Sequence, residues 1–180
     1  MLIDEYIPTY DVNEQHQIDV HAPVEKVYQV VKFLDFGDSR IIRWLFRLRG
    51  IPESALTFDG LLKFGFTILG EKPDQEIMFG LIGRFWTRSI HIQHLDPESF
   101  KKFDRKGFAK AVGNISITQQ PGGITRVSTE TRVLCIGNSS RRYFRLYWFL
   151  IGPFSAWIRR EWLRIIKRKA EKSLFIVSKS

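Results

Sequence analysis

Two consecutive stretches decide the fold: TRVSTETRVLC at residues 125–135 and NSSRRYFRLYWFLIGPFSAWIRREWLRIIKRKA at residues 138–170. The first alternates. Val127, Thr129, Thr131, Val133 and Cys135 share one parity, and Arg126, Ser128, Glu130 and Arg132 share the other. Successive side chains of a strand point to opposite faces, so this is a strand with one apolar or small face. In the second stretch the period changes. Phe144, Tyr147, Trp148 and Ile151 recur at i, i+3, i+4 and i+7, and the stripe resumes as Phe154, Trp157, Ile158, Trp162, Ile165 and Ile166. That spacing predicts one long amphipathic helix, with Asn138 or Ser139 as its cap. Gly152-Pro153 lies inside it, and the missing proline donor predicts a kink.

Working back from there, the chain reads as β. Phe108 to Gln119 pairs with Thr125 to Cys135 across Pro121-Gly122-Gly123. Phe66 to Glu71 and Glu76 to Phe85 form a hairpin about Lys72-Pro73-Asp74, and Gly80 and Gly83 inside it mark bulges or a close approach to the backbone. Ser89 to His94 is a short strand, and Pro97 to Phe103 one helical turn. Before these lie a first strand, Gln15 to His21, and a helix carrying Val24, Val27, Val31 and Leu34. A second helix, capped by Asp38 or Ser39, runs to about Leu48 and stops at Gly50-Ile51-Pro52, and residues 55–64 hold a further helical turn. Residues 1–12, with Pro8, read as an irregular arm, and residues 13–175 as a single domain. The predicted class is α+β, a curved antiparallel sheet wrapped around a long C-terminal helix.

Charge is placed unevenly. The net charge is +9, and residues 139–180 hold eleven bases against Glu161 and Glu171, so the remainder is neutral. An asymmetry of this kind suits an anionic partner, a membrane surface before a nucleic acid, since no nucleic-acid-reading motif is present. The plainer reading is a solvated helix face. Cys135 is the lone cysteine, which excludes an internal disulfide and fits a reducing, cytoplasmic setting. The acidic start MLIDEY does not read as a signal peptide.

The order of elements, the run Ala22-Pro23-Val24-Glu25-Lys26-Val27-Tyr28 after the first strand, the Thr129-Glu130-Thr131-Arg132-Val133 strand and the closing aromatic helix resemble the START-like, or helix-grip, superfamily. The likeness is closer to its uncharacterised bacterial members than to a named transporter or cyclase. Several of its branches enclose an apolar cavity between helix and sheet that holds lipids, hormones or polyketides. The resemblance therefore implies a shell for a hydrophobic small molecule or lipid, with no cofactor.

Catalytic chemistry is sparse. His91 and His94 fall on opposite strand faces, as do His16 and His21, and no Cys/His spacing suits zinc, so no metal site is expected. No nucleophile elbow, phosphate loop or dinucleotide fingerprint occurs. Fifteen Phe, five Trp and five Tyr remain. Phe66, Met78, Phe79, Val133, Tyr147 and Ile151 are the expected cavity wall. Glu130, Arg132 and Arg84 are the candidate polar contacts, although strand parity makes an outward salt-bridge row the simpler reading for them. Three functions fit: a non-catalytic carrier or sensor, a cyclase- or dehydratase-type enzyme on an apolar substrate, and peripheral association through the basic helix. The first accounts for most of these features.

Overall fold

The computed structural model describes residues 2–37, 39–48 and 52–177, with Asn138–Val177 forming one helix, α6, of 40 residues. At a rise of 1.5 Å per residue it is about 60 Å long. Its first turn opens from Gly137, whose carbonyl accepts the Arg141 N–H at 3.1 Å, so glycine stands where Asn138 or Ser139 was expected. The helix runs on through Gly152-Pro153 without a break. Pro153 is exposed, so the hydrogen bond it cannot make is lost on the solvent side.

Five antiparallel strands form one sheet in the order β1-β5-β4-β3-β2, where β1 is Val12–Val20, β2 Thr67–Lys72, β3 Glu76–Gly83, β4 Ala109–Gln120 and β5 Ile124–Cys135. The β4–β5 hairpin keeps its register from Gln120↔Ile124 to Ala109↔Cys135. Its turn puts Gly122 and Gly123 at φ +76° and +73°, a region that L side chains resist. The first strand starts at Val12, three residues earlier than expected. The segment Ser89–His94 is not a strand: Gln93 makes one bridge to Ile82, and His91 has a φ of +50°.

Directly paired residues share a face. One face carries Ile77, Phe79, Ile115, Val127 and Val133 and is packed by α6 together with α2 (Val24–Lys32), α3 (Arg40–Leu48) and α4 (Phe58–Phe64). Ser39 caps α3, its Oγ accepting the Ile42 N–H at 3.3 Å; Asp38 and Gly50-Ile51 lie outside the described residues. Thr57 caps α4 in the same way through Gly60 at 3.0 Å.

The opposite face was expected to be open, and it is not. Helix α1 (Leu2–Tyr6) lies in the segment read as an irregular arm, and with α5 (Pro97–Lys102) it covers Met78, Ile82 and Val112. Ile3 and Ile7 are fully buried there. Every residue of β3 is therefore buried, whichever way it points. Gly80 belongs to this packing. A Cβ on it would fall 2.6 Å from Leu69 and 2.8 Å from the Phe100 ring, so the glycine admits a close neighbour. The register shift lies instead on β2, between Ile68 and Gly70.

Candidate functional site

The interior has two parts. Around the C-terminal half of α6, Ile158, Trp162, Leu163, Ile165, Ile166 and Ala170 are buried in the main core. Around its N-terminal half a smaller cluster forms, centred on Ala109, Val133, Cys135 and Phe144. Between them lies a cavity of about 150 Å³. Its floor is the inner face of β4 and β5, where Ala111, Gly113, Thr131 and Val133 are small. Its roof and ends are rings. Phe144 stacks on Trp148 at 5.6 Å and meets Phe85 edge-on at 6.3 Å, while Phe79 meets Phe66 edge-on at 5.9 Å. Rings that pack on one another above short floor residues leave a gap that neither layer fills. Gly113 is needed for this arrangement, because a Cβ there would stand 2.9 Å from the Phe79 ring.

Few polar groups enter this space. Tyr147, Ser155 and Arg159 reach its wall from α6, and Thr131 from the sheet. Thr131 Oγ1 is buried without a hydrogen-bond partner among the described residues. Its cross-strand partner is Glu14, on the same face, whose Oε1 lies 2.8 Å from His16 Nε2 and whose Oε2 is buried and unpartnered. The Arg159 guanidinium lies over the Trp162 ring at 5.8 Å. Buried polar atoms are usually satisfied by protein or water, and Thr131 Oγ1, in the wall, and Glu14 Oε2, on the neighbouring strand outside it, are two exceptions.

Of the six residues named as a cavity wall, Phe66, Phe79, Val133 and Tyr147 line this space. Met78 does not. It precedes Phe79 by one residue on the strand, so it points to the other face and packs with Ile3, Ile7 and Leu69. Ile151 is half-buried on α6 and is not part of the wall.

Glu130, Arg132 and Arg84 are also away from the cavity. Glu130 and Arg132 are on the outer face, where the salt-bridge reading put them, but they are buried under the N-terminal segment. Arg132 binds Glu130 and Asp4, each at 2.7 Å, and donates to the Ile7 carbonyl at 3.1 Å. Burial opposes its charge, and the two carboxylates outweigh that effect and hold its pKa above the ordinary arginine value. Arg84 lies over the Phe108 ring at 4.6 Å.

Sequence reasoning did not single out Glu14, Thr131, Ser155 or Arg159. The signal for the first two was present: continuing the parity of Val20, Ile18 and His16 back one step puts Glu14 on the inner face. Arg159 was hidden among the tail bases. Among the described residues no group of His, Cys, Asp and Glu is placed to hold a metal ion, and no helix is long and apolar enough to cross a membrane.

No family model matches this chain, and no curated protein matches it. Solved structures do. A conserved protein from Geobacillus kaustophilus is 13% identical, over 90% of this chain and 97% of that one, with a TM-score of 0.48. A hypothetical protein from Helicobacter pylori is 8% identical over 93% of each chain, at 0.42. A protein from Thermus thermophilus is 10% identical over 90% of this chain and 99% of that one, at 0.39. These scores are all below 0.5, and it is the strand pairing and helix packing of this chain that define its α+β fold.

Proposed function

We propose that the protein binds a small hydrophobic molecule, without catalysis, in the cavity between the sheet and α6, as a member of the helix-grip group would. The observation that carries this reading is the ring-walled space of about 150 Å³. An engineered apolar cavity of about 150 Å³ takes up benzene, whereas pockets for drug-sized ligands run to roughly 300–1,000 Å³. The space as it stands therefore suits a single ring or a short branched alkyl group. A longer molecule, such as a lipid chain, requires the rings on α6 to turn aside. Thr131 and Arg159 supply the polar end: a hydroxyl, and a cation that suits an oxygen-bearing or anionic head.

An enzymatic reading has one observation in its favour, the Glu14–His16 pair on the inner face beside Thr131. It requires that pair to reach a bound substrate. Tyr147 and Arg159 are the ionisable side chains in the wall itself.

The test is uptake of toluene followed by ligand-observed NMR, on the wild type and on Val133→Phe. The wild type should bind saturably. The variant should lose binding and melt within a few degrees of wild type, since a cavity absorbs the added volume. In a solid core the same change costs roughly 1–3 kcal/mol. A destabilised variant together with no uptake by the wild type would sink the proposal. Native mass spectrometry of the purified protein would identify a retained guest, and loss of a turnover product in Glu14→Gln would favour the enzyme.

A further inference from the structure

The outward side of α6 carries a second apolar stripe. Eight large apolar side chains are exposed among the described residues, and five of them, Tyr143, Leu146, Phe149, Leu150 and Trp157, are on this helix. Leu146 is 68% exposed and Phe149 79%. Their spacing is helical. On a 3.6-residue helix Tyr143, Leu146, Leu150 and Trp157 follow one line, with Phe149 at its edge, and the exposed Pro153 continues it. The buried residues of the same half, Phe144 and Ser155, lie on the other side. The helix thus has two apolar faces, one turned to the sheet and the cavity and one to the outside. A solvated basic helix, the simpler expectation from sequence, would have a polar outer face.

Charge decides what the outer face meets. Exposed arginines bound this stripe: Arg142 precedes it, Arg145 flanks it beyond Phe149, and Arg160, Arg164 and Arg168 follow it. No acid occurs from residue 138 to residue 160. Glu161, the first to follow, is mostly buried and lies 3.6 Å from Arg164. An apolar band about 20 Å long, bounded by cations and without anions, is the pattern of a helix lying flat at an anionic bilayer, rings and aliphatic chains among the acyl groups and guanidinium groups at the phosphates. A nucleic acid would leave Leu146 and Phe149 without a partner, and a second copy would bring the arginine clusters of one chain against those of the other.

We infer that the outer face of α6, from Arg142 to Arg168, docks the protein onto an anionic lipid surface. This goes beyond ligand binding in the cavity and does not depend on it.

The experiment is co-sedimentation of the full chain with vesicles of phosphatidylglycerol and phosphatidylcholine in equal parts, against vesicles of phosphatidylcholine alone. Binding should be at least about tenfold stronger to the anionic vesicles and should weaken with salt. Leu146→Ser/Phe149→Ser should abolish it. Arg160→Gln/Arg164→Gln should weaken it roughly fivefold per arginine removed. All four residues are exposed or at a surface line, so thermal melting should not move; should the first double variant fail to fold, the arginine pair tests the proposal alone. Val133→Phe should still bind vesicles, which separates this result from the fate of the cavity. Equal sedimentation with both vesicle types, or wild-type affinity in the arginine pair, overturns the inference. So does a dimer in sedimentation equilibrium that Leu146→Ser/Phe149→Ser dissociates, with no vesicle binding by the wild type, since the face is then a protein interface.

Discussion

Arg132→Met tests the view that the N-terminal segment is held to the outer face of the sheet by a buried charge network and not by chance packing. Arg132 and Glu130 have side chains only 11% and 7% exposed, while Asp4, the other acid on Arg132, is 55% exposed. The network continues inward. Asn114 accepts the Glu130 N–H at 2.9 Å and donates to Glu76 at 2.7 Å, and Glu76 in turn accepts from the backbone N–H of Leu2 at 3.3 Å. Removing the arginine leaves the Glu130 carboxylate buried without its cation, a change that typically costs about 3–5 kcal/mol. Asp4 can return to water, so the lower end applies, about 3 kcal/mol by urea unfolding at neutral pH. Loss of the bond to the Ile7 carbonyl should also speed proteolysis within the first ten residues. The decisive arm is Arg132→Met/Glu130→Met. With both charges gone no ion is stranded, and stability should return to within about 1 kcal/mol of wild type. A double variant as unstable as the single one would show that the stranded carboxylate is not the cause. A single variant that loses less than about 1 kcal/mol would show that the network contributes no more than a surface pair.

Tyr28 and Glu71 predict two arms in the pH–stability curve. Burial, and the hydrogen bond it donates to Glu71, push the Tyr28 hydroxyl up to about 12 from an ordinary 10.0, so its contribution is full below 10.0 and disappears as pH rises through about 12. The same bond, with Lys32 helping, holds the Glu71 carboxyl below its ordinary 4.5, so that contribution is present above 4.5 and lost as pH falls through the lowered value. Urea titrations of Tyr28→Phe should lose the alkaline arm and flatten the acid one; unchanged arms would refute the pairing. Cys135 is buried, and burial, with Asp11 beside it, pushes its thiol up to about 12. It should resist a disulfide reagent at pH near 8 in the native state and react stoichiometrically in urea, and rapid native labelling would contradict its burial. Amide exchange should protect residues 158–170 of α6 at least about tenfold more than residues 143–157, because six residues of the first stretch are buried, whereas in the second Phe144 and Ser155 are buried and Tyr147, Trp148 and Phe154 only partly so. Equal protection would mean that α6 opens as a unit.

The sheet and α6 were legible because their periods are clean. The alternation from Val127 to Cys135 and the helical spacing from Phe144 to Ile166 are each sustained, and burial of one face fixes register. The short N-terminal helix was not legible. Leu2–Tyr6 is too short to be stable by its own propensity, and it forms because Ile3 packs on the outer core and Asp4 meets Arg132, both distant in sequence. Ser89 to His94 misled for the converse reason: its composition suits a strand, but only Gln93 finds a partner. In the site, choosing both Met78 and Phe79 ignored parity, since adjacent strand residues cannot share a wall. The outer stripe of α6 was missed because the apolar residues of that helix were assigned to one face, although residues 143–157 hold enough of them for two.

That double assignment also explains why the cavity lies where it does. Toward its C-terminus α6 gives its apolar residues to the sheet and its arginines to the outside, and the packing there is closed. Toward its N-terminus it divides its apolar residues between both sides, so fewer are left to interdigitate with a floor made of Ala111, Gly113, Thr131 and Val133. The floor residues are too short to meet the rings, and the space persists. The N-terminal half of α6 therefore carries the cavity roof and the apolar part of the outer stripe, on faces that do not overlap. Val133→Phe fills the inner side without touching Leu146 or Phe149, and substitutions at those two leave the floor intact. A result in which each variant disturbs both cavity binding and vesicle binding would mean that this half of α6 moves as a lid, with the two faces coupled through its motion.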